Sequence, residues 1–320
     1  MKLRILLAAA AFCAAPWAMA QKYPEKPVRV VVPYVAGGNL DVTARLFAEG
    51  LTETFGQSFF VENRPGANGN TGTAQVARAA PDGYTLAMVS VGTLAINPAL
   101  YRSMGFDSEK DLAPISIVAS APMVLVTSSG MPFHDMAGLV AYARANPGKL
   151  NFGSGGNGTL AHLSGEMLRV RTGIDIVHVP YKGAALALND ALAGHIQILF
   201  DTLNTSTPLI REGRLKAIAV TSSARSTAFP SLPTVAEAGI RDYAAETWAG
   251  LLAPAGTPRE TLARLQVAVA AIATREQTRS RLAAVGSVAV GGTPEQFTAT
   301  LRTDRARWAE IVSVSGARIE

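Results

Sequence analysis

Short, near-continuous apolar runs alternate with helix-like segments along this chain, and that alternation limits its fold more than any other feature. Val28-Arg29-Val30-Val31-Val32 and residues 58–62 and 85–90 read as strands without a strict in-out pattern. That is how parallel strands covered on both faces look. Between them, residues 40–55 place Phe47, Leu51 and Phe55 on one helical face and stop at Gly56. Residues 71–79 form the next helical segment. The middle of the chain repeats the scheme: strands at 150–152, 174–179, 196–200 and 216–220, helices at 160–171 and 184–192. Repeated β-α-β units predict an α/β fold with mostly parallel sheets. Beyond Pro254 the character turns helical. Thr257-Pro258-Arg259-Glu260 and Thr293-Pro294-Glu295-Gln296 both read as capping boxes with proline at the first helical position. The last helix is expected to end near Val314.

Two extended apolar stretches, 122–128 and 247–253, have the character of crossovers between lobes. If both cross, lobe one is 22–122 plus 247–320 and lobe two is 123–246. A chain that crosses twice makes a hinge with a cleft beside it.

The first residues carry an address. Met1-Lys2-Leu3-Arg4 is basic, residues 5–19 are apolar, and Ala18-Met19-Ala20 is a small-x-small cleavage site. The run is shorter than the roughly 20 residues a spanning helix needs. Residues 1–20 are therefore expected to be a cleavable signal peptide, placing the mature protein in the periplasm. Cys13 is the single cysteine and leaves with it, so the mature chain has no disulfide or thiol chemistry. Loss of Lys2 and Arg4 lowers the formal charge from +5 to +3. The remaining basic residues are scattered without a stripe, which excludes a nucleic-acid footprint. Repeats and exposed apolar surface, the marks of a structural or adhesion module, are missing from the sequence pattern. With 48% hydrophobic residues the chain can hold together by its own core, and it is expected to be a monomer.

Glycine-rich turns follow several of the strands. Pro33-Tyr34-Val35-Ala36-Gly37-Gly38-Asn39 and Gly153-Ser154-Gly155-Gly156-Asn157-Gly158-Thr159 each open a helix, and Ser90-Val91-Gly92-Thr93 follows a third strand. Glycine lets backbone come close to a ligand, and a helix start offers unpaired N–H groups and the positive end of its dipole. Asn39 and Thr159 are the expected N-caps. Each turn is a candidate anion site at the carboxyl end of a strand. The second turn matches the dinucleotide pattern G-x-G-x-x-G. That fingerprint requires an acid at the end of the following strand, about 20 residues on. Here Asp175 stands at the strand's start and Val179-Pro180 at its end. An exported protein also meets little soluble nicotinamide, so no nucleotide, and no other cofactor, is expected.

Residues 33–41 with Ala44-Arg45 resemble the first signature of the Bordetella-uptake-gene family, the substrate-binding proteins of tripartite tricarboxylate transporters. Glu62-Asn63-Arg64-Pro65-Gly66-Ala67-Asn68-Gly69-Asn70 and Pro81-Asp82-Gly83-Tyr84-Thr85-Leu86 are similar to its next two. The turn at 153–159 with His162-Leu163 and Glu166, then Pro180-Tyr181-Lys182-Gly183, then residues 252–258 continue the match in order. Asn39-Leu40 stands where the family often has small hydroxyl or glycine residues. The resemblance implies a two-lobed, type II periplasmic-binding-protein-like (Venus flytrap) fold. It also implies a small carboxylate held in the cleft by backbone amides and water, for uptake through tripartite membrane subunits. Carried onto this chain, the ligand-binding residues are Tyr34, Ala36, Gly37, Gly38, Asn39, Asp41 and Thr93 in lobe one. In lobe two they are Ser154, Gly155, Gly158, Thr159, His162 and Asp201, with Trp248 near the second crossover.

Other readings are weighed beside this one. A solute sensor would use the same cleft without transport. An exported serine hydrolase would use Ser154, His162 and Asp201, although Phe152 occupies the position where the nucleophile elbow needs glycine. His162 and Glu166, one helical turn apart, could share a cation; a helix residue hydrogen-bonding near the cleft is the preferred reading, and no metal is assigned. Asp41 either stabilises the start of its helix, with Arg45 as its i,i+4 partner, or faces the cleft.

Overall fold

The computed structural model describes residues 23–226 and 229–317. The expected signal peptide lies outside the described residues. Among the described residues, no helix is long and apolar enough to cross a membrane.

Lobe one begins with β1 (Val28–Val32), α1 (Asn39–Phe55), β2 (Phe59–Asn63), α2 (Asn70–Ala77) and β3 (Thr85–Ser90). A wide helical turn over Gly92–Ile96 leads into α3 (Asn97–Leu100). The chain then runs through β4 (Leu112–Ser128), a 17-residue strand buried almost throughout. Next come α4 (Met136–Ala145), β5 (Leu150–Ser154), α5 (Leu160–Thr172), β6 (Ile176–Pro180), α6 (Ala184–Ala193), β7 (Ile198–Thr202), α7 (Leu203–Arg211) and β8 (Leu215–Val220). The return is β9 (Glu246–Pro254), followed by α8 (Arg259–Thr274), α9 (Glu276–Ala284), β10 (Val288–Ala289) and α10 (Pro294–Ser315).

The strands join in the order β2-β1-β3-β9-β4-β7-β5-β6, with β8 and β10 also pairing β4. One long strand therefore belongs to two sheets. Residues 112–122 of β4 pair with β9, and from Met123 on it pairs with β7 and β8. Near-continuous burial suits a strand covered on both faces along its whole length. The expectation of mostly parallel sheets holds for the outer strands, where β1 pairs parallel with β2 and β3, and β5 with β6 and β7. It fails at the centre, where β4 and β9 are antiparallel to each other and to their other neighbours. The reason is topological: one strand carries the chain out of lobe one and the other brings it back, so they must run in opposite directions. The architecture is α/β with a mixed, curled sheet in two lobes.

Core packing differs between the two faces. On one face a single cluster runs from Val31 and Val89 through Leu125 and Phe152 to Trp308, joining both lobes. Helix α10 belongs to it, and Glu310 of α10 takes a two-pronged ion pair from Arg171 of α5 at 2.9 and 3.0 Å. On the other face the core is split in two. One cluster holds Val30, Phe47, Leu51 and Val269; the other holds Val124, Val126, Ala187 and Leu203.

Only one of the two expected capping boxes forms. Thr293 Oγ1 accepts from Gln296 N at 3.2 Å and Gln296 Oε1 accepts from Thr293 N at 2.9 Å, closing both halves of the motif. Thr257 instead donates to Pro254 O at 2.8 Å, and α8 starts one residue later, with Pro258 as its N-cap. The strand end just before it offers a carbonyl, and the hydroxyl takes that nearer partner.

Candidate functional site

The turns after β1 and β5 come together at the mouth of one cavity of about 370 Å³. Tyr34, Gly38, Asn39 and Leu40 line it from one side, Gly158, Thr159 and Leu160 from the other, with Asn68, Ser90 and Thr247 between them. A recess of about 60 Å³ adjoins it, shares Asn39, Leu40, Ser90 and Thr247, and ends at Trp248 and Ser287.

Both turns end in helix starts. In α1 the first backbone bond back along the helix is Val42 N to Gly38 O, so the amides of Asn39, Leu40 and Asp41 precede the ladder. In α5, Leu163 N bonds Thr159 O and His162 N bonds Thr159 Oγ1, leaving Leu160 and Ala161 as the first amides past the cap. Thr159 is the expected N-cap. Asn39 is not: Gly38 holds that position without a side-chain bond. The Asn39 Oδ1 accepts from Ser287 Oγ, in the C-terminal part of the chain, at 3.1 Å and from Thr43 Oγ1 of its own helix at 3.3 Å.

The first turn is braced from below by a buried carboxylate. Asp41 is 3% exposed, and its Oδ2 accepts from Gly37 N at 2.9 Å and Arg45 Nε at 3.0 Å. Its Oδ1 accepts from Asn63 Nδ2 at 2.9 Å. Burial pushes this carboxyl up, but the bonds from Arg45, Gly37 and Asn63 outweigh it and hold the group below its ordinary value. Both oxygens are thus occupied inside the loop, which favours the stabilising reading of Asp41 over the cleft-facing one. Gly37, at φ +86°, gives its amide to that brace, while Ala36 and Gly37 form the exposed tip of the turn. Tyr34 bridges Ser90 Oγ at 3.0 Å and Thr93 Oγ1 at 2.9 Å, and burial raises its phenol pKa. Thr93 is fully buried behind Tyr34 and supports the wall without reaching the cavity.

The second turn is braced by neutral imidazole. His162 Nδ1 accepts from Gly158 N at 3.0 Å, which puts the ring proton on Nε2. The His162 ring stacks on His178 of β6 with centroids 3.9 Å apart, and His178 Nε2 meets the Ser154 hydroxyl at 2.7 Å. Burial pushes His178 down to about 4, with His162 adding in the same direction. Burial lowers His162 as well, Glu166 opposing and Arg169 assisting. Gly155 owes its place to packing, since a Cβ there would sit 3.1 Å from Ala184 N at the start of α6.

Ser154, His162 and Asp201 do not form a catalytic triad. Ser154 is paired with His178, and the Asp201 carboxylate accepts from Thr205 and from Ser206 Oγ, the latter at 2.7 Å. Glu166 is engaged within its own helix: His162 Nε2 stands 3.9 Å from one of its oxygens, and Arg169 holds the other at 2.7 Å, as in the preferred reading of His162 as a hydrogen-bonding helix residue. Trp248 lines the recess with its ring, while its Nε1 donates to Asp304 Oδ2 at 2.8 Å, away from the cavity.

Sequence reasoning missed Leu40, Asn68, Ser90, Leu160 and Thr247 as wall residues. Asn68 had a signal. Gly66, Ala67, Asn68 and Gly69 all have positive φ, at 144°, 46°, 50° and 92°. A run of such backbone is costly for the two non-glycine residues and is kept where surrounding bonds hold it. It delivers the Asn68 carbonyl to Tyr34 Oη, Thr93 Oγ1 and Asn97 Nδ2 at 3.3, 3.2 and 3.0 Å.

Residues 43–316 match the tripartite tricarboxylate transporter family receptor. Protein BugT of Bordetella pertussis is 35% identical over 302 residues, covering 94% of this chain and 93% of its own length. Among solved structures, R. palustris Rpa4515 with adipate is 36% identical, with a TM-score of 0.79 over 93% of this chain and 100% of that one. MatC from Rhodopseudomonas palustris with bound malate is 30% identical, with a TM-score of 0.75 over 91% of this chain and 100% of that one.

Proposed function

The chain belongs to the tripartite tricarboxylate transporter receptor family, and from that premise we propose that it captures a small carboxylate between its lobes and delivers it to tripartite membrane subunits. The observation that carries the reading is the meeting of two glycine turns, each opening a helix, on one cavity of about 370 Å³. An anion there meets the first amides of α1 on one side and of α5 on the other, with both helix dipoles favouring negative charge. Relatives with this fold hold adipate and malate.

In this reading lobe one is 22–122 with 247–320 and lobe two is 123–246, and the strands β4 and β9 are the hinge. The single core on the α10 face keeps the lobes joined, and the split cores on the other face let them rotate about those strands. Gly38, Asn39, Gly158 and Thr159 meet the ligand with Tyr34, and Asp41, Thr93, Ser154 and His162 hold the turns that present them. Residues 1–20 direct the chain to the periplasm.

Calorimetry and thermal shift against linear dicarboxylates, tricarboxylates, amino acids and aromatic acids test the proposal. A ligand at 100 times its Kd adds about 2.7 kcal/mol of stability. Gly38→Val, whose added Cβ meets protein no closer than 3.9 Å and so takes up open space at the cavity wall, is expected to weaken binding about tenfold or more. A panel in which no acid moves the melt overturns the receptor reading.

A further inference from the structure

We infer that Ser287, 248 positions along the chain from Asn39, is a positioning residue for the first amides of α1 and acts through the Asn39 side chain; the inference rests on the receptor reading above, in which those amides meet the ligand. The need for an anchor comes from the turn itself. Residues 35–39 are exposed and include Gly37 at φ +86° and Gly38, so the backbone entering α1 has little side chain to hold it. Gly38 as N-cap supplies no side-chain bond either. Two tethers fasten this stretch. Asp41 ties Gly37 to Asn63 at the end of β2, on the outer side of lobe one. The Asn39 side chain is the second tether and runs elsewhere. Its Oδ1 accepts from Ser287 Oγ at 3.1 Å and from Thr43 Oγ1 at 3.3 Å, and its Nδ2 stands 3.5 Å from Val285 O. Oδ1 is an acceptor and of no use to an anion. The side chain of Asn39 therefore contributes anchorage, and its backbone contributes the amide.

Ser287 is itself held firmly. It is 4% exposed, and its N donates to Leu282 O at 2.9 Å at the end of α9. The residues that follow are stitched along β4: Val288 and Ala289 pair with Ser120 and Ala119, and Val290 N and Gly291 N donate to Val118 O and Ile117 O at 3.0 Å each. Strand β4 is the one shared by both sheets, so the Ser287 hydroxyl connects the strand that crosses between the lobes to the helix start at the cavity. Among the described residues Asn39 is its one hydrogen-bond partner. Ser287 lines the recess but not the cavity where the two turns meet, whereas Asn39 lines both. Its route to the anion is therefore through Asn39. A helix start already fixed when the ligand arrives loses less freedom on binding, and affinity rises accordingly.

The test is a double-mutant cycle on affinity, read by calorimetry with the tightest binder among adipate, malate, glutarate, glutamate, citrate and benzoate. Ser287→Ala is expected to weaken binding about three- to tenfold, and Asn39→Ala by about as much or more. The double variant is expected to bind within about twofold of Asn39→Ala alone, because the hydroxyl has lost the group it acts through. Ser287→Thr keeps the hydroxyl and should bind within about twofold of the unaltered protein. In the ligand-free proteins, the amide resonances of Asn39 and Leu40 should move in Ser287→Ala while those of Leu160 and Ala161 stay in place. That readout reports on the α1 start alone, which a general loss of stability would not. Losses from Ser287→Ala and Asn39→Ala that multiply in full put Ser287 on the ligand itself and overturn the inference. An unchanged affinity in Ser287→Ala, or unmoved Asn39 and Leu40 amides, overturns it as well. Each of these leaves the receptor reading standing. Failure of all six acids to bind the unaltered protein overturns both.

Discussion

The turns after β1 and β5 present helix starts to the same cavity, yet they are held in shape by opposite chemistry. The first is fastened by an acid: Asp41 gathers Gly37 N, Arg45 and Asn63 around a buried carboxylate. The second is fastened by a neutral base: His162 accepts from Gly158 N and stacks on His178, which holds Ser154. Both braces keep charge off the cavity wall, one by surrounding it with donors and the other by carrying none. A backbone anion site therefore does not prescribe its support. It prescribes that the supporting group be satisfied below the loop, so that the amides above remain free.

The comparison can be broken by removing the braces one at a time. Asp41→Ala should have the largest effect, because three donors lose their acceptor at once. A loss of about 3 kcal/mol in chemical denaturation is expected, and a loss near zero would show that the first turn stands without it. His162→Phe keeps a ring on His178 but leaves Gly158 N without its acceptor. It should cost about 1–2 kcal/mol and weaken carboxylate binding while Asp41 and its turn are unchanged.

Acid should separate the two turns without mutation. His178 is held at about 4 by burial, against an ordinary 6.5. Between those values the unfolded chain takes the proton and the folded one does not. The histidine contribution is therefore complete above pH 6.5 and is lost as pH falls toward 4. Asp41 is also shifted down, but by donors that favour its charged form: its carboxyl lies below the ordinary 3.8, so its contribution is complete above that value and fails only as pH drops through the lower folded value. Hydrogen exchange should show the Gly158 amide losing protection before the Gly37 amide as pH is lowered. Simultaneous loss would mean that the two turns respond as one unit. Arg45→Ala should have the smallest effect, about 0.5–1 kcal/mol, because the Arg45 side chain is 52% exposed and water replaces much of the pair.

Much of the fold was legible because it is local. The strand and helix segments follow from apolar periodicity, and Thr293-Pro294-Glu295-Gln296 formed the capping box that its spacing implied. Thr257-Pro258-Arg259-Glu260 has the same pattern and did not, since the Thr257 hydroxyl donates to the Pro254 carbonyl at the end of β9 instead. The central antiparallel strands were not legible either. Periodicity reports which faces are buried and is silent about strand direction.

At the site the division is sharper. The glycine turns, Thr159 as a cap and the Asp41–Arg45 pair are short-range features, and residues three or four apart on a helix meet by geometry alone. Those the sequence determined by itself. The partner of Ser154 is His178, 24 positions away on the next strand. The wall is completed by Asn68, Ser90 and Thr247, which meet only because parallel strands end side by side and β9 returns between them. The tertiary structure alone decided these, because nothing in local spacing encodes which strand ends become neighbours. The same holds for the first turn's acid: Asp41 is present in the sequence beside the cavity, and only folding turned its oxygens onto Gly37, Arg45 and Asn63.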